Sequence, residues 1–325
     1  MPQERGRGWI GLTMGYGIER LRATLQRRFA KKSALPGPHP FSADRKLPLP
    51  PLEMRLLTGP SEESAFELGS QEWTFPLLAP EAYEAVFDFG CGCGRNARKL
   101  IQQVTRPRRY VGIDLHRGMI GWCQQNLRPR APGFEFLHHD VFNPSLNSDP
   151  RKPKVAPFPV EDAAFSLVVA WSVFTHLAES QASAYLQEVA RILKPHGTFL
   201  STWFLFDKRA FPMMQSFQNA LYINELDPTN AVIYDRDWFL HAVADAGLAV
   251  TRAEPPEVRG FQWVVLMSHR ASGGGLTELP ADDAPLGVQR PPIVPDAEWV
   301  GLSPKRRRAW FRSARSAASS NRLSS

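Results

Sequence analysis

Residues 85–101 change from a strand pattern to a helix pattern across a glycine-rich loop. A short apolar run ends at Phe89, and the loop that follows carries Gly90, Gly92 and Gly94. Beyond the loop, apolar residues at positions 97, 100, 101 and 104 have the i, i+3, i+4, i+7 spacing of an amphipathic helix. A strand, a glycine loop and a helix in this order bring backbone N–H groups and a helix N-terminus to a ligand. The segment therefore predicts a ligand-binding loop, but glycines alone do not identify the ligand.

Strand and helix patterns continue to alternate as far as residue 269. Apolar runs predict further strands at 109–114, 134–141, 165–173, 198–205, 248–253 and 261–269. Helical spacing predicts helices over 179–193 and from Asp235, the predicted N-cap, to Gly247. Such alternation is typical of one open, mostly parallel sheet with helices on both faces. We therefore predict an α/β fold that binds its ligand at the carboxyl ends of the strands.

The two ends of the chain differ from this central part in composition. Residues 1–51 combine a helix pattern with basic faces and a proline-rich linker, whereas the chain after residue 270 is rich in Gly, Pro, Ser and Arg. We therefore predict a basic N-terminal helix and Pro-rich linker (1–51), a ligand-binding domain with an N-terminal cap segment (52–270) and a disordered basic tail (271–325).

The formal net charge of +7 belongs to these ends. Residues 1–46 carry +7 and residues 290–325 carry +6, which leaves −6 for the body of the protein. A net acidic body disfavours a nucleic-acid groove across the domain. The basic ends are compatible with weak contact to a membrane surface or a protein.

Cysteine content and hydropathy bear on location and metal binding. No apolar run approaches the roughly 20 residues that span a bilayer. Three cysteines, two of them inside the glycine loop, do not suggest a disulfide framework, so we expect a cytoplasmic protein. Because no second Cys or His pair stands at ligand spacing from Cys91 and Cys93, we expect no metal site.

Three carboxylates are predicted at the carboxyl edge of the sheet. Asp88 lies two positions before the first glycine of the loop, Asp114 ends the second strand, and Asp140 ends the third. A carboxylate at the end of the second strand commonly binds the ribose hydroxyls of an adenosine. We expect Asp140 to accept from an adenine amino group, and Asp88 either to hold the loop in shape or to face an ammonium group.

These features leave a dinucleotide and S-adenosylmethionine as candidate ligands. The loop has the spacing Gly-x-Gly-x-Gly, whereas dinucleotide loops normally have Gly-x-Gly-x-x-Gly. The negative charge of Asp88 beside the loop would also disfavour a diphosphate. A methionine group fits better, since its ammonium can lie near an acid and its carboxylate at a helix start.

The chain resembles the class I S-adenosylmethionine-dependent methyltransferases, in their small, generic bacterial branch. Asp88 to Gly94 matches the first motif of that family, and Tyr110 to Asp114 matches the second, with Asp114 as ribose ligand. His139-Asp140-Val141 falls where the family contacts adenine, and residues 171–177 resemble the fourth motif. Residues 193–197 resemble the turn before the fifth strand, with His196 in place of a glycine.

The resemblance covers residues 85–205 well and residues up to 270 more loosely. It implies a Rossmann-like three-layer sandwich with a seven-stranded, mostly parallel sheet whose last strand is antiparallel. It also implies a set of residues that bind S-adenosylmethionine, namely Asp88, Gly90, Cys91, Gly92, Gly94, Asp114, Leu115, Met119, Asp140, Val141, Trp171 and Ser172.

Methyl transfer from a sulfonium is an in-line displacement on an activated electrophile. Catalysis consists mainly of positioning and desolvation, and a base is needed only if the acceptor must lose a proton. The resemblance places His176 at the rim of the site, as the candidate base. The alternative is that His176 orients its loop or binds the carboxylate of the cofactor.

The sequence does not identify the methyl acceptor. Methyltransferases of amides and base amino groups usually carry Asn/Asp-Pro-Pro-aromatic after the fourth strand, where this chain has Ala170 to Val173. We expect an acceptor pocket built from residues 52–78 and 203–235, whose aromatic residues indicate a partly apolar acceptor or core packing. The leading hypothesis is transfer to a small molecule, for example to oxygen on a sugar, lipid or secondary metabolite. The alternatives are a non-catalytic domain recruited by its basic ends and a nucleic-acid methyltransferase.

Overall fold

A computed structural model describes residues 47–58, 66, 78–103, 106–224 and 227–285 of the 325-residue chain. The basic helix predicted within residues 1–46 and the tail from residue 286 onward lie outside the described residues, so the predictions for both ends stay predictions. Across the described ranges, no helix is long and apolar enough to cross a membrane.

Nine strands and five α-helices lie within the described residues. The strands are β1 (Ala85–Phe89), β2 (Arg109–Asp114), β3 (Phe134–His138), β4 (Phe165–Ala170), β5 (Leu193–Phe206), β6 (Ala220–Tyr222), β7 (Val232–Asp235), β8 (Leu248–Glu254) and β9 (Trp263–His269). The helices are α1 (Leu52–Leu57), α2 (Arg95–Gln102), α3 (Arg117–Asn126), α4 (Glu179–Ile192) and α5 (Arg236–Asp245). Asp235 caps α5 as predicted, since its side chain accepts from Trp238 N.

Seven of these strands form the predicted arrangement. They lie in the order β3-β2-β1-β4-β5-β9-β8, with β3, β2, β1, β4 and β5 mutually parallel. The last strand, β9, is antiparallel to both β5 and β8. The predicted Rossmann-like α/β fold with a mostly parallel sheet and an antiparallel last strand is therefore confirmed.

Two short strands, β6 and β7, extend the sheet beyond the predicted seven. β5 pairs with β4 only as far as Ser201 and continues to Phe206, so its last residues have a free edge. β7 pairs in parallel with residues 204–206 of β5, and β6 adds to β7 in the antiparallel direction. A free edge offers unpaired backbone groups, which β7 satisfies. Strands of three and four residues are too short to produce a clear alternation in the sequence, which explains why they were not predicted.

The core lies on both faces of the sheet. Along β1, Phe87 and Phe89 belong to a cluster that includes Leu186 of α4 and Phe239 of α5. Val86 belongs to a second cluster, which includes Leu100 of α2 and Ile120 of α3. Because alternate residues of a strand face opposite sides, this division places one helical layer on each face.

The folded part extends past the boundary predicted at residue 270. Leu279 is only 6% exposed and belongs to the core cluster that contains Phe87. Leu276 N donates to Val250 O at 2.8 Å, and Arg259 N donates to Pro285 O at 3.0 Å. Residues 271–285 therefore pack on the domain, which a composition rich in Gly and Pro did not indicate.

Candidate functional site

The glycine loop joins β1 to α2 and is tied to the neighbouring strand. The N–H groups of Gly90 and Cys91 both donate to Ile113 O, at 2.8 and 3.0 Å. Gly92 has a φ of +55°, and a Cβ added there would lie 2.8 Å from the Thr58 side chain. Because an L-residue rarely adopts this conformation and has no space here, the loop requires glycine.

Asp88 lies beneath this loop and not in a cavity wall. It is 1% exposed, and its Oδ2 accepts from Tyr110 Oη at 2.7 Å. Asn96 Nδ2 lies 3.3 and 3.4 Å from the two carboxylate oxygens. Burial raises the pKa of Asp88 to about 6, against the opposing effect of these hydrogen bonds. The position favours the interpretation that Asp88 holds the loop in shape.

A cavity of about 230 Å³ opens above the loop. Nine of the predicted cofactor-binding residues line it, together with His176, and they are Gly90, Cys91, Gly92, Asp114, Leu115, Met119, Val141, Trp171 and Ser172. Asp88, Gly94 and Asp140 do not line it. The structure therefore brings most of the predicted set to one place, at the carboxyl ends of β1, β2 and β4.

Asp114 connects the end of β2 to the glycine loop. Its Oδ2 accepts from Gly92 N and its Oδ1 from His116 N, both at 2.8 Å. Burial raises the pKa of Asp114, while the two backbone N–H donors lower it. A carboxylate oxygen accepts more than one hydrogen bond, so Asp114 can also accept from ligand hydroxyls.

Asp140 is hydrogen-bonded to the segment that follows β3 and does not line the cavity. Its Oδ1 lies 2.6 Å from Lys152 Nζ and 3.1 Å from Asn147 Nδ2. The hydrogen bond from Lys152 is the main reason that the pKa of Asp140 falls to about 2. Asp140 is absent from the cavity lining, and its expected contact with adenine stays a prediction. The sequence after β3 does not indicate that Asn147 and Lys152 fold back onto Asp140.

His176 ends a short 3₁₀ helix (Phe174–His176) and lines the cavity. Its Nδ1 lies 3.1 Å from Thr229 O. Because a carbonyl oxygen can only accept, Nδ1 carries the hydrogen, and Nε2 is the ring nitrogen able to take a proton. Burial lowers the pKa of His176, so the imidazole is neutral at pH 7.

Arg95 is a cavity residue that the sequence analysis missed. It is the first residue of α2, directly after the glycine loop, and burial lowers the pKa of its guanidinium. Its Nη1 is buried and has no hydrogen-bond partner among the described residues. A buried guanidinium nitrogen without an acceptor marks a place for an anionic ligand group. Its position immediately after the third glycine was the available signal.

Ser172 adopts an unusual backbone conformation at the end of β4. Its φ is +57°, its N–H donates to Thr202 Oγ1 at 2.8 Å, and its hydroxyl donates to Gln262 Oε1 at 3.0 Å. Strained backbone held by such contacts is common at functional sites. These bonds fix the turn that leads from Trp171 to His176.

The cavity lining that directly follows β3 and directly precedes β7, which we call the far wall, is mainly polar, although Phe142 and Leu146 also belong to it. It includes Asn143, Ser145, Asp227, Thr229 and Asn230. The aromatic residues expected there do not line it. Trp203 and Tyr234 are buried in the core, and Phe211 and Tyr222 are exposed. Core packing was therefore the right interpretation of Trp203 and Tyr234, and residues 59–65 and 67–77 of the expected pocket lie outside the described residues.

The donors and acceptors around the cavity fit S-adenosylmethionine. Arg95 matches its carboxylate, Asp114 matches its ribose hydroxyls, and Leu115, Met119 and Val141 give an apolar surface for its adenine. The N–H groups of Gly90, Cys91 and Gly92 already donate within the protein, so the loop contributes its close approach and not its hydrogen bonds. In the described part of the chain, no group of three or more His, Cys, Asp or Glu could hold a metal ion.

Comparison with known proteins yields a family match over the centre of the chain. Residues 86–197 match the family model described as a methyltransferase domain. A phthiotriol/phenolphthiotriol dimycocerosates methyltransferase from Mycobacterium ulcerans is 32% identical over 117 residues, which is 36% of each chain. A fatty-acid O-methyltransferase from Mycolicibacterium smegmatis is also 32% identical over 117 residues, again 36% of each chain. The matched region thus spans about a third of the length of these curated relatives.

Solved structures are similar at lower identity. An O-methyltransferase of neocarzinostatin biosynthesis, determined with S-adenosylmethionine and a naphthoic acid, is 18% identical with a TM-score of 0.41. That alignment covers 59% of this chain and 50% of the other.

Proposed function

Residues 86–197 match a methyltransferase domain, and from this match we propose that the chain is a class I S-adenosylmethionine-dependent enzyme that transfers a methyl group to a small-molecule acceptor. The acceptor atom in this proposal is an oxygen, on a lipid, a sugar or a secondary metabolite. Two curated relatives are named for a lipid substrate or for O-methylation, which supports this choice. The observation that carries the proposal is that the glycine loop, Asp114, Arg95 and His176 line one and the same cavity.

Each residue of the cofactor site has a separate task in this proposal. S-adenosylmethionine supplies an activated methyl group on a sulfonium. Gly90 and Gly92 let the backbone approach the ligand, and Arg95 binds the methionine carboxylate through its unpaired Nη1. Asp114 orients the ribose, because its oxygens already accept from Gly92 and His116 and are held rigidly. The loop and the strand end together fix where the methyl group is presented.

His176 removes the proton of a hydroxyl acceptor. A hydroxyl becomes a competent nucleophile only as it loses its proton, which a neutral imidazole at the cavity wall can take on Nε2. The hydrogen bond from Nδ1 to Thr229 O holds the ring during this step. An ionised carboxylate acceptor would need no base. Methylation of a hydroxyl should therefore depend on His176, whereas methylation of a carboxylate should not.

The polar far wall supports a hydroxylated acceptor over one that is apolar throughout. Asn143, Ser145, Thr229 and Asn230 present amide and hydroxyl groups there. A purely apolar ligand would remove these groups from water without replacing their hydrogen bonds. The reacting end of the acceptor should therefore carry polar groups. Its remaining part can contact Leu57 and Leu146, which line the cavity but are exposed.

Calorimetric titration with S-adenosylmethionine and with S-adenosylhomocysteine tests the shared premise. We expect Asp114→Ala to weaken both by at least ~10-fold, since ribose hydrogen bonds to a charged acceptor are lost. Glu257→Ala removes an exposed carboxylate and is the matched control. Absence of binding to the wild-type protein would reject the proposal.

Turnover distinguishes an enzyme from a domain that only binds. Protein incubated with methyl-labelled S-adenosylmethionine and cell extract should label a small molecule, extractable and resistant to nuclease and protease. Binding without any labelled product would favour the non-catalytic alternative, and nuclease-sensitive label would favour nucleic acid. The cytoplasmic location stays a prediction that rests on the cysteine content.

A further inference from the structure

The connection between β5 and β6 carries apolar side chains that face water. Among the large apolar side chains in the described ranges, Met213 and Phe217 are the most exposed, at 88% and 76%. Phe211 in the same connection is 47% exposed. Single exposed apolar residues are common, but three within seven positions are a feature that needs a physical reason. We call residues 207–219 the apolar loop.

The apolar loop is closed at its base. Lys208 N donates to Asp235 Oδ1 at 2.9 Å, and Asp235 N donates to Asn219 O at 2.8 Å. Both ends of the loop are therefore hydrogen-bonded to the same residue, the N-cap of α5. Phe211, Met213 and Phe217 are consequently confined to one small projection.

Lys208 also holds the loop from inside. Its ammonium donates to Ser216 O at 3.1 Å, to Gln218 O at 3.2 Å and to Asn219 Oδ1 at 3.2 Å. An ammonium has three hydrogens, so all of its donors are used on this turn. The carbonyls on either side of Phe217 thus point to Lys208 while the Phe217 side chain is exposed. The phenyl ring is therefore exposed because the hydrogen bonds of Lys208 fix the backbone on both sides of it.

The dimensions of the loop favour a bilayer as its partner. Side chains of this kind offer roughly 200 Å² each, partly covered here, whereas a stable protein interface buries about 800 Å² on each partner. Three side chains thus provide at most about half of that area. Insertion among lipid acyl chains needs no complementary surface and is favourable for any apolar side chain that leaves water.

The charge distribution supplies the second signal that membrane attachment needs. Residues 1–46 carry a net +7 and residues 290–325 carry +6, while the body between them carries −6. An anionic surface would repel the body, so insertion of three side chains would by itself give only weak binding. Basic segments at both ends attract anionic headgroups, and stable peripheral binding generally combines two such contributions.

We propose that the apolar loop inserts Phe211, Met213 and Phe217 into the surface of an anionic lipid bilayer, with the basic ends of the chain providing electrostatic attraction. The inference uses neither the cofactor site nor the acceptor. It therefore stands or falls separately from methyl transfer.

Flotation of the full chain with vesicles tests the proposal. We expect binding to vesicles of phosphatidylcholine mixed with phosphatidylglycerol, weaker binding to phosphatidylcholine alone, and a decrease as salt is raised. The double variant Met213→Ser/Phe217→Ser should lower the partition coefficient by at least ~10-fold, because two apolar side chains no longer leave water. The double variant Phe261→Ser/Leu276→Ser, which also replaces two exposed apolar residues, should bind like the wild type.

A probe placed in the loop gives a direct readout. The three native cysteines, Cys91, Cys93 and Cys123, are buried, so an environment-sensitive dye can be attached selectively to Phe217→Cys or to the control Leu276→Cys. We expect a blue shift on vesicle addition at position 217 and none at 276. Equal urea midpoints for all variants will show that folding is intact.

Two outcomes would overturn the proposal. One is unchanged vesicle binding by Met213→Ser/Phe217→Ser together with an unshifted dye at position 217. The other is a change of sedimentation-equilibrium mass caused by the same double variant in the absence of lipid, which would assign the loop to self-association.

Discussion

Tyr110 donates its phenolic hydrogen to Oδ2 of Asp88 across 2.7 Å, directly beneath the glycine loop. Burial raises the pKa of Tyr110 well above its usual value, so the phenol stays protonated and acts as the donor. Asp88, the acid of the first motif, thus accepts hydrogen bonds from Tyr110 of β2 and from Asn96 of α2. Its side chain therefore links β2 and α2 beneath the loop.

We predict that Asp88→Asn changes how stability depends on pH. Burial raises the pKa of Asp88 from 3.8 to about 6, so between these values the folded protein binds more protons than the unfolded chain. The free energy of unfolding then falls as pH rises through this window, by roughly 3 kcal/mol at most. Because Asn does not ionise, the variant lacks this fall. Urea unfolding should therefore show that the free energy of unfolding of Asp88→Asn, taken relative to wild type, is ~1–3 kcal/mol higher at about pH 7.5 than at about pH 4. A difference that is the same at both pH values would contradict this.

Arg95→Met should weaken ligands that carry a carboxylate. Loss of a hydrogen bond between charged groups costs about 1.5–3 kcal/mol, or ~10- to 100-fold in the dissociation constant of S-adenosylhomocysteine. The affinity for 5′-methylthioadenosine, which lacks the amino-acid group, should change by less than ~3-fold. Calorimetry measures both, with Arg128→Met, at an exposed arginine, as control. Equal losses for both ligands would mean that Arg95 supports the loop and does not bind the carboxylate.

His176→Asn separates a base from a cofactor ligand. The asparagine amide can still donate to Thr229 O but cannot take a proton at neutral pH. With a hydroxyl acceptor we expect kcat to fall by ~100-fold or more, while affinity for S-adenosylhomocysteine changes little. Because burial lowers the pKa of His176, wild-type kcat should be flat around neutral pH and decline only at a pH lower than that at which an ordinary histidine is protonated. A large loss of cofactor affinity would assign His176 to the cofactor.

Asp227→Ala should release the ring of His176. Asp227 Oδ1 accepts from Thr229 N at 3.2 Å and from Thr229 Oγ1 at 2.8 Å, and thereby holds the carbonyl that accepts from His176 Nδ1. Its Oδ2 accepts from Ser145 Oγ. Nitrogen-15 spectra of labelled histidine should show the Nδ1–H tautomer in wild type and a mixture of tautomers in the variant. An unchanged spectrum would remove Asp227 from this role, and Glu257→Ala controls for loss of a carboxylate.

The sequence alone determined the type of fold and the strand ends at which the candidate cofactor site lies. Period-two and period-3.6 patterns are local properties, so β1, the glycine loop, α2 and α5 could be predicted from their own residues. Asp114 could be placed at the cavity because it ends β2, and the carboxyl ends of parallel strands lie at the same edge of the sheet as the glycine loop. Met119 and Trp171 followed from the resemblance to the family.

Only the tertiary structure decided the parts that depend on distant segments meeting. Asp140 pairs with Lys152, which folds back to it, and His176 gains its tautomer from Thr229, 53 positions away. β7 forms because β5 extends past the end of β4, which no property of residues 232–235 reveals. Hydrogen bonds of this kind follow from chain geometry, whereas a sequence pattern records only which residues prefer to be buried. For that reason the cofactor could be predicted from the sequence, whereas the polar far wall and the apolar loop could not.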